Sequence, residues 1–106
     1  MVRRGEIWRV NLDPTVGSEI RKSRPCVVIS PAEMHDFLRT VIVAPMTTKG
    51  RPAPFRIPVT HAGQKGLVVL DQMRSVDQVR LVSKLGAVSG KTLESILSIL
   101  REVFAG

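Results

Sequence analysis

The sequence predicts a mostly antiparallel β domain, curled into a small barrel and closed by a C-terminal helix. Three observations carry this. The chain has 106 residues, room for a single domain spanning 1–106. Its apolar residues come in short runs of strand length, punctuated by proline and glycine. Only the C-terminal segment keeps a helical period long enough for a substantial helix.

The first strand is expected over about Glu6–Leu12, where Trp8, Val10 and Leu12 alternate with Arg9 and Asn11, one face inward and one wet. Asp13 to Ser23 follows as a polar, glycine-containing loop, too long for a tight hairpin. Pro25 to Ile29 is a continuous apolar run, a strand buried on both faces, with Pro25 confined to its first position. Ser30, Pro31 and Glu33 form a helix-start signature, with Ser30 as N-cap and Glu33 closing a capping box on a short helix ending near Leu38. A strand over Thr40–Ala44 is expected to stop at Pro45, before a basic loop, Thr47 to Pro52.

Phe55, Ile57 and Val59 then alternate with Arg56 and Pro58, and Pro58 argues for an edge strand. A turn over His61 to Gly66 leads into a buried strand, Leu67–Leu70. Ser75 and Gln78 have the spacing of a second capping box, ahead of a last short strand, Lys84–Val88. Leu93, Ile96, Leu97, Leu100 and Val103 or Phe104 mark the inner face of the final helix. No internal repeat, low-complexity tract or linker interrupts this order.

Composition narrows the function. Sixteen Lys+Arg against nine Asp+Glu give a net charge of +7, with a pI near 10.8, which favours a polyanionic partner. Eleven of the sixteen cations are arginine, the type suited to bidentate phosphate contacts. A hydrophobic fraction of 43% excludes a disordered chain. No apolar run approaches the ~18 residues of a membrane span, and the basic N-terminus lacks the apolar stretch of a secretory signal. The cytoplasm is the expected compartment, with no membrane association. Cys26 is the single cysteine, so neither a disulfide framework nor a cysteine-based zinc site is available.

Motifs for serine hydrolysis, nucleotide phosphate loops and zinc proteases are absent. His35 and His61 read as surface or turn residues, and Cys26 as an inert core thiol. No metal or cofactor is expected. What remains is arginine beside rigid strand ends: Arg24 enters one buried strand, and Thr47 and Thr48 leave another. If those strands are neighbours, guanidinium and hydroxyl converge on one phosphate. Asp71 and Arg74 are spaced for a simple ion pair orienting the turn between them. Trp8 has two readings, a base-stacking surface and a core residue.

Five segments in order, Arg4-Gly5-Glu6-Ile7-Trp8, Asp13 to Glu19, Arg24-Pro25, Val43 to Thr47 and Leu70 to Asp77, resemble the MazF/PemK family of type II toxin–antitoxin toxins. The resemblance covers nearly the whole chain. It implies an SH3-like barrel, a homodimer, and a metal-independent endoribonuclease that cuts single-stranded RNA at short sequences. It assigns catalysis to Arg24 and Thr47, with Glu19 as a further candidate. Ser18, Arg21, Lys22, Thr48, Lys49, Arg51, Gln72 and Arg74 are the matching candidates for RNA binding. A second branch of the family uses an Asp, an Arg two residues before it, and a His in the loop. Here Asp71 is present, but the other two positions hold Val69 and Ser18, which favours the Arg24–Thr47 pair.

Two alternatives from other classes remain: a gyrase-binding toxin like CcdB on the same barrel, and a nucleic-acid-binding module without cleavage. A cognate acidic antitoxin is the expected protein partner, its disordered tail folding over the basic groove. Val41, Val43, Leu67 and Val69 are expected as apolar excess that a dimer would bury.

Overall fold

Residues 1–106 are described by a computed structural model. The elements run β1 (Glu6–Asn11), β2 (Ser23–Val28), α1 (Ala32–Phe37), β3 (Thr40–Thr47), β4 (Arg56–His61), β5 (Gln64–Val69), β6 (Arg74–Asp77), β7 (Leu81–Ala87) and α2 (Gly90–Val103). Short 3₁₀ turns at Leu70–Gln72 and Gln78–Arg80 flank β6. All pairings are antiparallel, and the strands follow the order β4-β5-β3-β2-β1-β7, with β6 also on β3. The sheet curls into a half-barrel with the C-terminal helix packed on it. Its two edge strands approach each other at His61 of β4, whose Cε1 would lie 3.4 Å from a Cβ on Gly86 of β7. No helix is long and apolar enough to cross a membrane.

The central strands are buried on both faces, as the run Pro25 to Ile29 predicts. Val27, Ile29, Ala44 and Met46 join Ile96 of α2 in one cluster, while Cys26, Val28, Val41 and Val43 join Val10 and Leu12 in another. β1 departs from simple alternation because its pairing with β7 shifts register between Ile7 and Trp8 and again between Arg9 and Val10. Ile7 and Val10 are therefore both buried, and Trp8 is half-buried, packed against the second cluster. Val41, Val43, Leu67 and Val69 are all buried within the chain. They are core, and supply no surplus for a second copy.

Several boundaries differ from expectation, each for a local reason. Ser30 does not cap α1, which has Pro31 at its N-cap and no side-chain cap bond. The Ser30 hydroxyl instead accepts from the Ile42 amide (2.9 Å) and bonds Nε2 of His35 (2.6 Å), whose Nδ1 bonds the Val2 carbonyl (2.9 Å). β3 continues through Pro45 to Thr47. Residues 40–43 pair with β6 and residues 46 and 47 with β5, so Pro45 sits at the changeover, where neither neighbour needs its missing N–H.

The broad turn expected over His61 to Gly66 contracts to two residues. Ala62 and Gly63 both have positive φ (53° and 76°), the twist of a tight hairpin, and β5 begins at Gln64. β4 is indeed an edge strand carrying Pro58. Asp77, not Ser75, caps the turn before β7, accepting from the Val79 amide. β7 then starts at Leu81 rather than Lys84. Ser89 caps α2 by accepting from the Thr92 amide (3.1 Å).

Glu6 is only 6% exposed and ties the N-terminal edge together. Its carboxylate accepts from the Arg3 amide (2.8 Å) and Trp8 Nε1 (3.1 Å) and pairs with Lys84 Nζ (2.7 Å). Burial pushes its pKa up, but Lys84, the Arg3 amide and the Trp8 indole together outweigh it and hold it below the ordinary value. The folded-state value is the lower one, so the ionised group stabilises the fold above the unfolded carboxylate range of about 4.3. That contribution is lost as pH falls through the folded value. Glu6→Gln is expected to cost about 1 kcal/mol at neutral pH. The gap to wild type should close below about pH 4, measured by urea denaturation across pH.

Candidate functional site

β2 and β3 are neighbours, with Cys26 opposite Pro45, so Arg24 and Thr47 do reach one place. They line a cleft of about 250 Å³ with Pro25, Met46 and Thr48; the rest of its lining comes from the β4–β5 hairpin, through Val59, His61, Gln64, Lys65 and Gly66. Arg24 is exposed, and its Nε donates to the Arg21 carbonyl (3.3 Å). This anchors one edge of the guanidinium and leaves its terminal nitrogens for an anion. Thr47 is half-buried, and its Oγ1 accepts from the Lys49 amide (3.1 Å). Its own hydroxyl proton is thereby directed away from that amide and is available to a ligand oxygen.

The remaining expected residues divide around this cleft. Glu19 lines a second cleft of about 390 Å³, with Leu12, Pro14, Ile20, Pro45 and the segment Asp71–Arg74. Its Oε1 accepts from the Val16 amide (2.6 Å), which folds the loop on itself. Gln72 accepts from the Ile20 amide (2.7 Å) and Arg74 Nη1 donates to the Leu12 carbonyl (3.0 Å), so both hold that loop from beneath. Ser18, Arg21 and Lys22 are exposed on it, and Thr48, Lys49 and Arg51 are exposed beyond β3. The loop is closed at its base, where Leu12 and Lys22 bond through the backbone and the Asp13 carboxylate accepts from the Lys22 amide.

Asp71 does not pair with Arg74. Its two carboxylate oxygens take a bidentate bond from Arg56 of β4 (3.2 and 3.1 Å), which raises the Arg56 pKa. Arg56 sits opposite Val69, and so reaches the turn after β5 directly. Trp8 is spoken for by Glu6, which leaves the core reading rather than base stacking. Cys26 is buried, and burial pushes its thiol up to about 12. No group of three or more His, Cys, Asp or Glu side chains is placed to share a metal ion.

His61, Gln64, Lys65 and Gly66, all within the turn expected from sequence, line the cleft as the end of β4 and the start of β5. The signal was the strand period: His61 follows Ile57 and Val59 at intervals of two, on the face of β4 that points inward.

Fold and cleft together define a small β half-barrel with a cationic notch where two central strands end. The chain belongs to the PemK-like, MazF-like toxins of type II toxin–antitoxin systems, whose family model matches residues 3–104. It is 36% identical over 108 residues to the endoribonuclease PemK of Escherichia coli, covering 96% of this chain and 76% of that protein. It is 38% identical over 112 residues to the endoribonuclease MazF9 of Mycobacterium tuberculosis, covering 95% and 94%. The crystal structure of MazF from Deinococcus radiodurans superposes with a TM-score of 0.86 at 25% identity, over 99% of this chain and 97% of that one.

Gly66 sets the position of Thr47. A Cβ there would lie 2.7 Å from the Thr47 carbonyl oxygen and 3.8 Å from Thr48 Cα, both backbone atoms that cannot rotate away. Gly66→Ala is expected to push β3 and β5 apart at the cleft, costing about 1–3 kcal/mol in chemical denaturation. A variant as stable as wild type would show that the strand end tolerates displacement.

Proposed function

We propose that the chain is a sequence-specific, metal-independent endoribonuclease that cuts single-stranded RNA in the cytoplasm as the toxin of a toxin–antitoxin pair. The observation carrying this is the convergence of Arg24 and Thr47 on one cleft, together with membership of a toxin family whose relatives above are named endoribonucleases. In-line attack by the adjacent 2′-hydroxyl needs no metal. It needs a strand held in line and charge stabilised on the phosphorane oxygens. The free nitrogens of Arg24 suit that stabilisation, and the Thr47 hydroxyl donates to a phosphate oxygen.

Ser18, Arg21, Lys22, Thr48, Lys49 and Arg51 carry the flanking nucleotides on either side of the cleft. Gln72 and Arg74 act from below by shaping the loop, and Glu19 orders it. An acidic antitoxin segment would compete for the same cations, in a salt-dependent way. DNA, lacking the 2′-hydroxyl, would be bound without being cut.

A homodimer is part of this proposal, on a different surface from the one first expected. Phe55, Leu70, Met73, Leu100, Val103 and Phe104 border an apolar groove of about 360 Å³ between β4 and the end of α2. Phe104 is 69% exposed and Phe55 47%. A second copy packed here would remove that apolar area from water. Light scattering at micromolar concentration is expected to give twice the 11.7 kDa chain mass, and Phe104→Glu to shift it toward one.

Single-turnover cleavage of a long single-stranded RNA in EDTA tests the reaction itself. Wild type is expected to give discrete products. Arg24→Lys and Thr47→Val should each keep RNA binding and slow cleavage by roughly 10²–10³. Arg51→Ala should weaken binding and flatten its salt dependence, leaving the chemical step nearly unchanged. Intact RNA with a mobility shift would favour the non-cleaving module, and intact RNA without one the gyrase-type toxin.

A further inference from the structure

We propose that His61 is the general base of the cleft, taking the proton from the attacking 2′-hydroxyl; this rests on the ribonuclease reading above. Neither of the two residues assigned to catalysis can do this task. Arg24 is permanently protonated, and the Thr47 hydroxyl is too weak a base at neutral pH. Glu19, the only carboxylate among the expected site residues, lines the other cleft and has one oxygen engaged by the Val16 amide.

Of the ten residues lining the Arg24–Thr47 cleft, two are cations, none is an acid, and one is a histidine. His61 is therefore the only side chain there of a type that serves as a general base. It stands at the end of β4, bordering the same cleft as Arg24 and Thr47, half-buried, and the tight Ala62-Gly63 turn fixes its place opposite Gln64. Its ring rests against Gly86 of β7, with a would-be Cβ there 3.4 Å from Cε1 and 3.9 Å from Nδ1. The ring thus lies beside β7 while the residue borders the cleft.

The charged groups that share the cleft with it are Arg24 from β2 and Lys65 from β5; β3 contributes the neutral Thr47 and Thr48, and β7 only Gly86. In the step, the 2′-oxygen gives its proton to the imidazole as its bond to phosphorus forms. The bond from phosphorus to the 5′-oxygen breaks, and the leaving oxygen takes a proton from water at the open mouth of the cleft. The products are a 2′,3′-cyclic phosphate and a 5′-hydroxyl, and His61 returns its proton to solvent.

Single-turnover cleavage as a function of pH tests this with saturating enzyme in EDTA. The wild-type rate is expected to rise with pH, as for a step that needs an unprotonated base. His61→Gln should fold and bind RNA as wild type does, cleave about 10²–10⁴ more slowly, and lose that rise. His61→Ala should regain rate when free imidazole is added, a response that a packing role for the ring would not produce. A flat wild-type profile, a His61→Gln variant at full rate, or a slow His61→Ala variant indifferent to imidazole would each overturn the assignment while leaving cleavage by Arg24 and Thr47 standing. Absence of any cleavage by wild type would overturn both.

Discussion

β3 is shared by three neighbours, and the rest of the molecule is arranged around that sharing. One side pairs with β2 throughout residues 43–45, while the other side hands over from β6 to β5. A strand that changes partners partway along needs one position where the ladder makes no demand, and Pro45 occupies it. The strand end then carries Thr47 out beside Arg24, with Gly66 allowing β5 to approach close enough to close the notch. Proline at the changeover and glycine at the approach are thus two halves of one geometric requirement.

The positive charge of the chain is spread over two kinds of work. Arg4 donates to the Ile29 carbonyl, Arg74 to Leu12, and Arg80 to both Asn11 and Asp13, while Arg56 holds Asp71. These guanidiniums satisfy backbone carbonyls and carboxylates that loops would otherwise leave to water. Three of those carbonyls lie at the entry to the long loop after β1, so arginines brace the segment that carries Arg21 and Lys22. Net charge points to an anionic partner, but it overstates how many cations are free to meet one.

Much of the fold was legible in the sequence because its signals are local. The doubly buried β2, the edge character of β4, and the amphipathic α2 follow from short runs and periods. The Arg24–Thr47 pairing was legible only on condition that β2 and β3 lie side by side. What escaped was set by distant partners. Ser30 looks like a helix cap, yet its hydroxyl is claimed by His35 and the Ile42 amide. Asp71 looks paired to Arg74, three residues on, yet Arg56 reaches it through the β4–β5 ladder. His61 looked like a turn residue because the turn was drawn too wide. Val41 and Val69 looked surplus because sequence does not show that the sheet has core on both sides.

The β4–β5 hairpin joins the body through few rungs. Within itself it pairs over six residue pairs, but to β3 it is held by Met46 with Val68 and Thr47 with Leu67 alone. One wall of the cleft therefore rests on two backbone rungs and on the packing of Val59 and Val68 in the core, and the other is the centre of the sheet. Change at the exposed hairpin positions Gln64 and Lys65 alters the lining of the notch while the spacing of Arg24 and Thr47 stays as it is. Such a division lets the lining of the cleft drift over evolution while His61 and Gly66 are held, with the outer positions of the hairpin as the exchangeable part.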